Sequence, residues 1–313
     1  MPELLWLYLT ALLYYGTSAS CVALAEALQT VSHDRLTRMR QGDWSGHTLL
    51  ELACRTLFVW ERGYLILDDT VIPKPLATTI DGLAWVFSSQ ERKPVSGLSL
   101  VLLVWTNGTL RVPLGIRLWH KGGPSKDVLA LELLSYARNR LRCRPEFVLF
   151  DAWYPSKALL KRVRDYGWYF VCRLKKNRRV NGQAVRAYRR HPYWADRGRL
   201  SGGLKVLVVR YGAKYYATNR LMLPAAEVRR LYRFRSQIEE VIRVCKDQRS
   251  LTGCQARSER AQLHHITCCL VAFCVLERER HERQLSIYQL KRQFSCRGRS
   301  CVLPALERLG STA

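Results

Sequence analysis

Two short apolar segments of the chain each run directly into aspartate. Residues 64–67 are followed by Asp68 and Asp69, and residues 147–150 are followed by Asp151. A short apolar run of this kind is typical of a buried strand. A carboxylate next to such a strand is costly unless it is paired or binds a cation. The two segments therefore predict a buried sheet that brings acidic side chains together at a cation site.

The residues around these two segments predict the rest of the same sheet. Asn107-Gly108, a dipeptide that strongly favours a two-residue hairpin, lies between two apolar runs. Three antiparallel strands, a helix, a strand, a helix and a strand predict an α/β fold, in which a mixed β-sheet is flanked by helices. The predicted strands lie at residues 64–67, 98–106, 109–118, 147–150 and 168–174, and the helices at 125–139 and 155–166.

The N-terminal region reads as helical. Over residues 1–62, Ser32 is able to cap a helix that carries Arg35, Arg38 and Arg40. Two short helices around a tight turn are compatible with a DNA-binding helix-turn-helix or with an ordinary helical hairpin.

A basic, irregular stretch separates the predicted strands from further helices. It is rich in arginine and in turn-forming dipeptides, and its short apolar runs predict a basic β-type insertion. The basic residues at the C-terminus are expected to form a partly loose tail. The predicted regions are the helical N-terminal region at 1–62, the first part of the core at 63–176, the insertion at 177–222, the second part of the core at 223–277 and the tail at 278–313.

The chain is strongly positive. It has 51 lysine and arginine residues against 25 aspartate and glutamate residues, a formal net charge of +26. Such an excess implies a polyanionic partner, of which nucleic acid is the commonest. The apolar start, from Leu4 to Tyr15, is shorter than the roughly 20 residues that span a bilayer, so no membrane partner is expected. The scattered cysteines form no CxxC pair, which predicts reduced thiols and a cytoplasmic location.

One face of the helix predicted at 231–246 collects polar groups suited to phosphate chemistry. At about 100° per residue, Glu239 falls at the margin of the buried apolar stripe, whereas Glu240 points away and is expected to be solvated. Arginine can hold a phosphate with a bidentate fork, and lysine can hold it as a point charge. The residues on this face are Tyr232, Arg235, Glu239 and Lys246.

Two strand aspartates and a helical glutamate predict metal-dependent phosphoryl transfer. Asp68 and Asp69 face opposite sides of their strand, so only one of them can join Asp151, and the sequence favours neither. Together with Glu239 they can hold two divalent metal ions about 3.5–4 Å apart. One ion would activate a water or a DNA 3′-OH, and the other would stabilise the leaving oxygen at phosphorus.

The four residues of the helical face have the spacing of a known family signature. They resemble the Y-x2-R-x3-E-x6-K motif of bacterial insertion-sequence transposases, which carry an RNase H-like DDE core. In that family the acid just before a Ser or Thr on the first catalytic strand is the ligand, which selects Asp69. Residues 149–154 resemble the second catalytic strand. The resemblance covers about residues 64–275 and implies that the catalytic and metal-binding residues are Asp69, Asp151 and Glu239.

This resemblance also implies a substrate, a cofactor and an assembly. The partner would be double-stranded DNA, namely terminal inverted repeats and target DNA, bound by a homodimer on paired ends in the bacterial nucleoid. Two Mg²⁺ ions, with Mn²⁺ as a substitute, would support 3′-end cleavage and strand transfer. Arg173 resembles a phosphate-contacting position, beside the expected contacts of Tyr232, Arg235 and Lys246 with DNA. Trp194, in the insertion, is a candidate for holding a flipped base.

Two other functions stay open on sequence grounds. A non-catalytic derivative could occupy transposon ends and repress the active enzyme, and a host RNase H-like nuclease or junction resolvase could share the fold. The complete acidic set favours the transposase, because a protein that only binds DNA gains little by burying three carboxylates. The histidines and cysteines at 264–274 predict small side chains on a buried helix, with a zinc site as the less favoured alternative.

Overall fold

A mixed sheet of nine strands carries the acidic residues singled out above. The computed structural model describes residues 3–15, 20–58, 62–188, 191–247 and 251–310. The strands are β1 (Tyr64–Pro73), β2 (Ala84–Ser88), β3 (Lys93–Thr106), β4 (Arg111–Trp119), β5 (Phe147–Phe150), β6 (Tyr169–Leu174), β7 (Arg179–Val180), β8 (Gln183–Ala184), β9 (Tyr193–Arg199), β10 (Lys205–Tyr211) and β11 (Lys214–Thr218).

The first half of the sheet has the strand order β4-β3-β1-β5-β6. Strands β1, β5 and β6 are parallel, whereas β3 is antiparallel to each of its three partners β1, β2 and β4. The predicted hairpin joins β3 to β4, with Gly108 at a φ of 100°, and the Asn107 side chain accepts hydrogen bonds from the backbone of Thr109 and Leu110. The predicted α/β class, a mixed sheet flanked by helices, is confirmed.

Strand β1 is longer than the sequence predicts. Its apolar start pairs with β5 as far as Leu67, but the strand continues through Asp68 and Asp69 to Pro73. The reason is that its other edge pairs with β3 along its whole length. The two aspartates therefore lie inside a strand, at the point where only the pairing with β5 has ended.

The basic stretch after β6 extends the same sheet. Strand β11 pairs antiparallel with β6, β10 pairs with β11, and β9 pairs with β10. The small hairpin of β7 and β8 and a 3₁₀ turn at Val185–Ala187 precede these strands. Residues 177–222 therefore contain β structure, in agreement with the type predicted for the insertion, and backbone hydrogen bonds join them to the strands that carry the acids.

Eleven helices lie within the described ranges. Helices α5 and α6 connect β4 to β5 and β5 to β6, and the long apolar helix α9 packs against α1, α3 and α4 of the N-terminal region. None of the helices in those ranges is both long and apolar enough to cross a membrane. The helices are α1 (Glu3–Tyr14), α2 (Cys21–Leu28), α3 (His33–Gln41), α4 (Gly46–Leu57), α5 (Lys126–Asn139), α6 (Lys157–Asp165), α7 (Ala225–Arg233), α8 (Ser236–Asp247), α9 (Glu259–Arg283), α10 (Ile287–Arg297) and α11 (Arg299–Gly310).

The predicted cap at Ser32 is confirmed, because its side chain accepts a hydrogen bond from the backbone of Arg35 at the start of α3. Arg40, at the other end of α3, is buried and donates to the Sγ of Cys254 at 3.0 Å. Only Arg35 and Arg38 of the three arginines of this helix are exposed. A DNA-reading role for α3 stays a hypothesis that rests on these two side chains.

The C-terminal residues are not a loose tail, contrary to the expectation from their composition. Helices α10 and α11 pack against α1. Lys291 on α10 is buried and donates from Nζ to the carbonyl oxygen of Leu12 at 2.9 Å. Ser295 donates to the carbonyl oxygen of Tyr14 at 3.0 Å. The expectation was based on the basic residues, but the apolar residues between them, such as Leu290 and Phe294, are fully buried and hold the helices in place.

Lys291 gives the fold a measurable pH dependence. Burial lowers the pKa of Lys291 to about 8, so above pH 8 the folded protein releases a proton that the unfolded chain, with a lysine pKa of about 10.4, still holds. We expect the free energy of unfolding to rise by about 2 kcal/mol between pH 7 and pH 9.5 through this group. Because buried thiols titrate in the unfolded chain over the same range, the test is a difference: the free energy of unfolding of the wild type relative to Lys291→Met should rise by this amount between the two pH values, and an unchanged difference would contradict it.

Candidate active site

Asp68 and Asp151 lie side by side on neighbouring parallel strands. The paired residues of β1 and β5 run from Tyr64 with Phe147 to Leu67 with Phe150, so the next residue on each strand is an aspartate. Burial, more than any other effect, raises the pKa of Asp68 to about 7; the Arg235 guanidinium opposes this, and the negative charges of Asp69 and Asp151 add to it. The carboxylate of Asp68 is thus poorly solvated, and the half-buried Asp151 lies close enough for its charge to act on it.

Asp69 takes part in a different set of contacts. Its Oδ2 lies 2.5 Å from the Nζ of Lys126 at the start of α5, and its Oδ1 accepts a hydrogen bond from the buried hydroxyl of Tyr154 at 3.1 Å. Successive side chains of a strand point to opposite faces, so Asp68 and Asp69 cannot both face Asp151. The geometry favours Asp68, although the resemblance to the family selected Asp69.

Arg235 connects the strand acid to the helix acid. Its Nη2 donates to the Oδ2 of Asp68 at 2.6 Å, and its Nη1 donates to the Oε1 of Glu239. Burial opposes the charge of this guanidinium, but the pKa of Arg235 is raised because Asp68, Tyr232, Glu239 and Asp151 surround it. We call the row Asp68–Arg235–Glu239 the ionic chain. It places Glu239 next to the two strand aspartates without direct contact between carboxylates.

Glu240 is not the solvated member of its pair, contrary to the prediction. The side chain of Glu239 is 56% exposed and that of Glu240 is 32% exposed. Glu240 pairs with Arg243 at 2.5 Å and approaches Arg111 of β4 at 3.7 Å. The prediction assumed one continuous helix, but α7 ends at Arg233 and α8 begins at Ser236, so counting at a constant angle from α7 misplaces residues on α8.

The donor atoms of this site suit a divalent cation, although they do not yet form a complete coordination shell. Within the ranges that the structure describes, no three His, Cys, Asp or Glu side chains converge closely enough to hold one metal ion. Asp68 and Asp151 nevertheless offer hard oxygen ligands, and the burial of Asp68 makes its negative charge costly unless a cation neutralises it. The third carboxylate, Glu239, is held by Arg235.

Two further residues of the predicted set lie close to the acids. The ring of Tyr232 packs edge-on against Tyr216, and burial raises the pKa of Tyr232 while the charges of Arg235 and Arg173 oppose this. The buried Nε atoms of Arg173 and Arg235 make no hydrogen bond with any described residue. Because both atoms are buried, a phosphate oxygen would reach these donors only after the side chains turn.

Lys246 and Trp194 lie apart from the ionic chain. Lys246, near the end of α8, has its Nζ at 3.4 Å from the Oε1 of Gln90 in the turn after β2, and burial lowers its pKa. Trp194 is half-buried and stacks on Tyr188 with ring centres 5.6 Å apart. Its indole Nε1 is buried too. The ring therefore belongs to the packing of the insertion, which argues against the predicted role in holding a base.

The histidines of α9 are explained by packing. Both ring nitrogens of His264 lie near backbone carbonyl oxygens, of Arg40 at 2.8 Å and of Trp44 at 2.7 Å, and the ring stacks on the indole of Trp44. The Nδ1 of His265 lies 2.7 Å from the hydroxyl of Tyr8. These contacts occupy the nitrogens that zinc would need and agree with the buried-helix interpretation.

The sequence analysis missed two residues at the same edge of the sheet. Trp153, two positions after Asp151, has its side chain in solvent, and Lys175, directly after β6, lies over its ring. No sequence pattern separates the exposed Trp153 from the next residue, Tyr154, which is fully buried. Asp68 and Asp69 were both candidates, and only the register of β1 against β5 distinguishes them.

Comparison with known proteins gives a family and a fold. Residues 60–275 match the family of the transposase DDE domain. The structure is similar to piggyBac transposase in a synaptic complex with hairpin DNA, with a TM-score of 0.56 and 12% identity, over 99% of this chain and 72% of that one. A match to the Mos1 strand transfer complex covers 48% of this chain and 52% of that one, with 19% identity and a TM-score of 0.22. No curated protein matches the sequence.

These matches differ in what they support. At 12% identity the piggyBac similarity shows the fold alone, and the Mos1 superposition is too poor to carry an argument. The family match is stronger evidence, because it covers more than half of the chain and includes both aspartate strands, the insertion and the helix of Glu239. The chain belongs to the transposase DDE domain family.

Proposed function

We propose that this chain is an active DNA transposase, which binds the terminal inverted repeats of an insertion sequence and catalyses strand cleavage and strand transfer. The observation that supports this most is the ionic chain beside Asp151, in which acids from two strands and one helix are gathered around a single arginine. A homodimer that holds two transposon ends would be the working assembly.

We assign metal binding to Asp68, Asp151 and Glu239. Two Mg²⁺ ions, or Mn²⁺ in their place, would when bound activate the attacking water or 3′-OH and stabilise the leaving 3′ oxygen. The adjacent carboxylates of Asp68 and Asp151 would hold the ions, and Glu239 would join them once Arg235 turns to a phosphate. Asp69 would instead hold Tyr154 and Lys126 in place through its two hydrogen bonds.

We assign phosphate binding first to Arg235 and Arg173, whose buried Nε donors lack a described partner and would face a phosphate once the side chains turn. Tyr232 would position the strand to be cut, and Lys246 would contact DNA farther along α8. The exposed side of β9 adds Arg197 and Arg199. The net charge of +26 favours DNA as the polyanion over a small acidic ligand, which needs only a local patch.

The test of this function is cleavage of a labelled duplex that carries the terminal repeats flanking the gene. With Mg²⁺ or Mn²⁺ the wild type should nick at the repeat boundary, and Glu239→Ala should lower the rate by at least about 100-fold because a ligand is lost. Glu240→Ala is the matched control on the same helix and should cut within about threefold of the wild type.

Other outcomes would select other functions. Specific binding of the repeats with no cleavage by the wild type would identify a non-catalytic repressor. If a scrambled repeat inhibits the cutting as strongly as the true repeat does, the protein is a structure-selective nuclease. An inactive Glu240→Ala beside an active Glu239→Ala would reverse the assignment on α8.

The two neighbouring aspartates of β1 should behave differently in the same assay. Asp68→Asn should abolish cleavage to below about 1% of the wild-type rate while DNA binding persists, because a metal ligand is removed and the basic surface is not. Asp69→Asn keeps an oxygen for the Tyr154 hydroxyl and should cut within about tenfold of the wild type. A dead Asp69→Asn beside an active Asp68→Asn would restore the ligand that the family resemblance selects.

A further inference from the structure

Trp153 presents an unusually open indole beside the acidic site. Its side chain is 62% exposed, although burying a tryptophan is normally favourable. The Nζ of Lys175 lies 4.3 Å from the ring centre, within the range of a cation–π contact. Lys175 therefore covers one part of the ring, and the exposed remainder is free to receive another flat group.

The position of this indole relative to the acids is fixed by the backbone. The N–H of Trp153 donates to the Oδ1 of Asp151 at 2.7 Å, so the residue that carries the ring also orients the carboxylate. Lys175 follows β6, which pairs in parallel with β5, and both residues therefore lie just past the same end of neighbouring strands. A ligand on this indole would sit directly beside Asp151.

We propose that Trp153 and Lys175 form a binding site for an unpaired nucleobase and its phosphate at the DNA end next to the scissile bond. This inference rests on the proposed function. The indole would stack on the base, which every base permits through its π face, and the Lys175 ammonium would pair with the adjoining phosphate. A base stacked inside a duplex exposes only its edges, so the site selects DNA whose terminal nucleotides are unpaired.

The surroundings of Trp153 distinguish it from the other tryptophans considered. Trp194 is half-buried against Tyr188 and offers no comparable open face. Trp85 is 76% exposed, but it lies on β2, which β3 and β1 separate from β5. Trp85 is therefore a matched control, since its indole is at least as exposed as that of Trp153 but does not lie next to Asp151.

The experiment compares two duplexes of the terminal repeat, one blunt and one with a few unpaired nucleotides at the cleaved end that include 2-aminopurine. Binding is measured without divalent metal, so that no cutting accompanies it. The wild type should bind the unpaired end about tenfold more tightly than the blunt end and quench the 2-aminopurine emission. Trp153→Ala should lose both effects, Trp153→Phe should keep part of each, and Trp85→Ala should keep both.

A second probe separates this inference from the function it rests on. Stacking on an indole does not depend on the base sequence. A single-stranded oligonucleotide of unrelated sequence should therefore bind Trp153→Ala about tenfold more weakly than it binds the wild type. This difference should remain even if repeat recognition fails. Lys175→Gln should reduce the salt dependence of this binding by about one ion while quenching remains. The base site would be overturned if Trp153→Ala bound and quenched as the wild type does, or if Trp85→Ala lost as much binding and quenching as Trp153→Ala. Failure of repeat binding alone would overturn only the transposase assignment.

Discussion

The candidate site depends on electrostatic repulsion that the sheet imposes. Parallel pairing of β1 with β5 brings Asp68 and Asp151 together, and the burial of Asp68 leaves little water to screen its charge from that of Asp151. Arg235 relieves part of this repulsion through the ionic chain, which also holds Glu239 near the aspartates. The same arginine therefore stabilises the acidic cluster and, under the proposed function, would release its carboxylates to a cation.

Much of the fold could be predicted from the sequence, because local patterns specify it. The apolar runs, the Asn107-Gly108 hairpin and the cap at Ser32 depend on short-range chemistry, and each agrees with the structure. The extent of β1 could not be predicted, since only its pairing with β3 carries the strand past the aspartates. The C-terminal helices were missed for a similar reason, because their few apolar side chains are buried by α1, a segment far away in the sequence.

The site was predicted in outline, but the direction in which individual side chains point could not be read from the sequence. Asp151, Arg235 and Glu239 lie in one neighbourhood, as the motif spacing indicates. The choice between Asp68 and Asp69 requires the register of a neighbouring strand, and the surroundings of Glu240 require the turn between α7 and α8. Trp194 shows the same limit, since neither composition nor spacing reveals that a ring is covered by Tyr188.

The packing of the first helix against the last ones has a consequence for biosynthesis. The apolar face of α1 is covered by α9, α10 and α11, and the hydroxyl of Tyr8 bonds to His265, 257 positions later. A ribosome therefore completes the whole catalytic sheet before α1 can bury its leucines. Until then these leucines are exposed on the nascent chain, where they can bind chaperones or aggregate. The helical region therefore becomes native only after α9, α10 and α11 have left the ribosome.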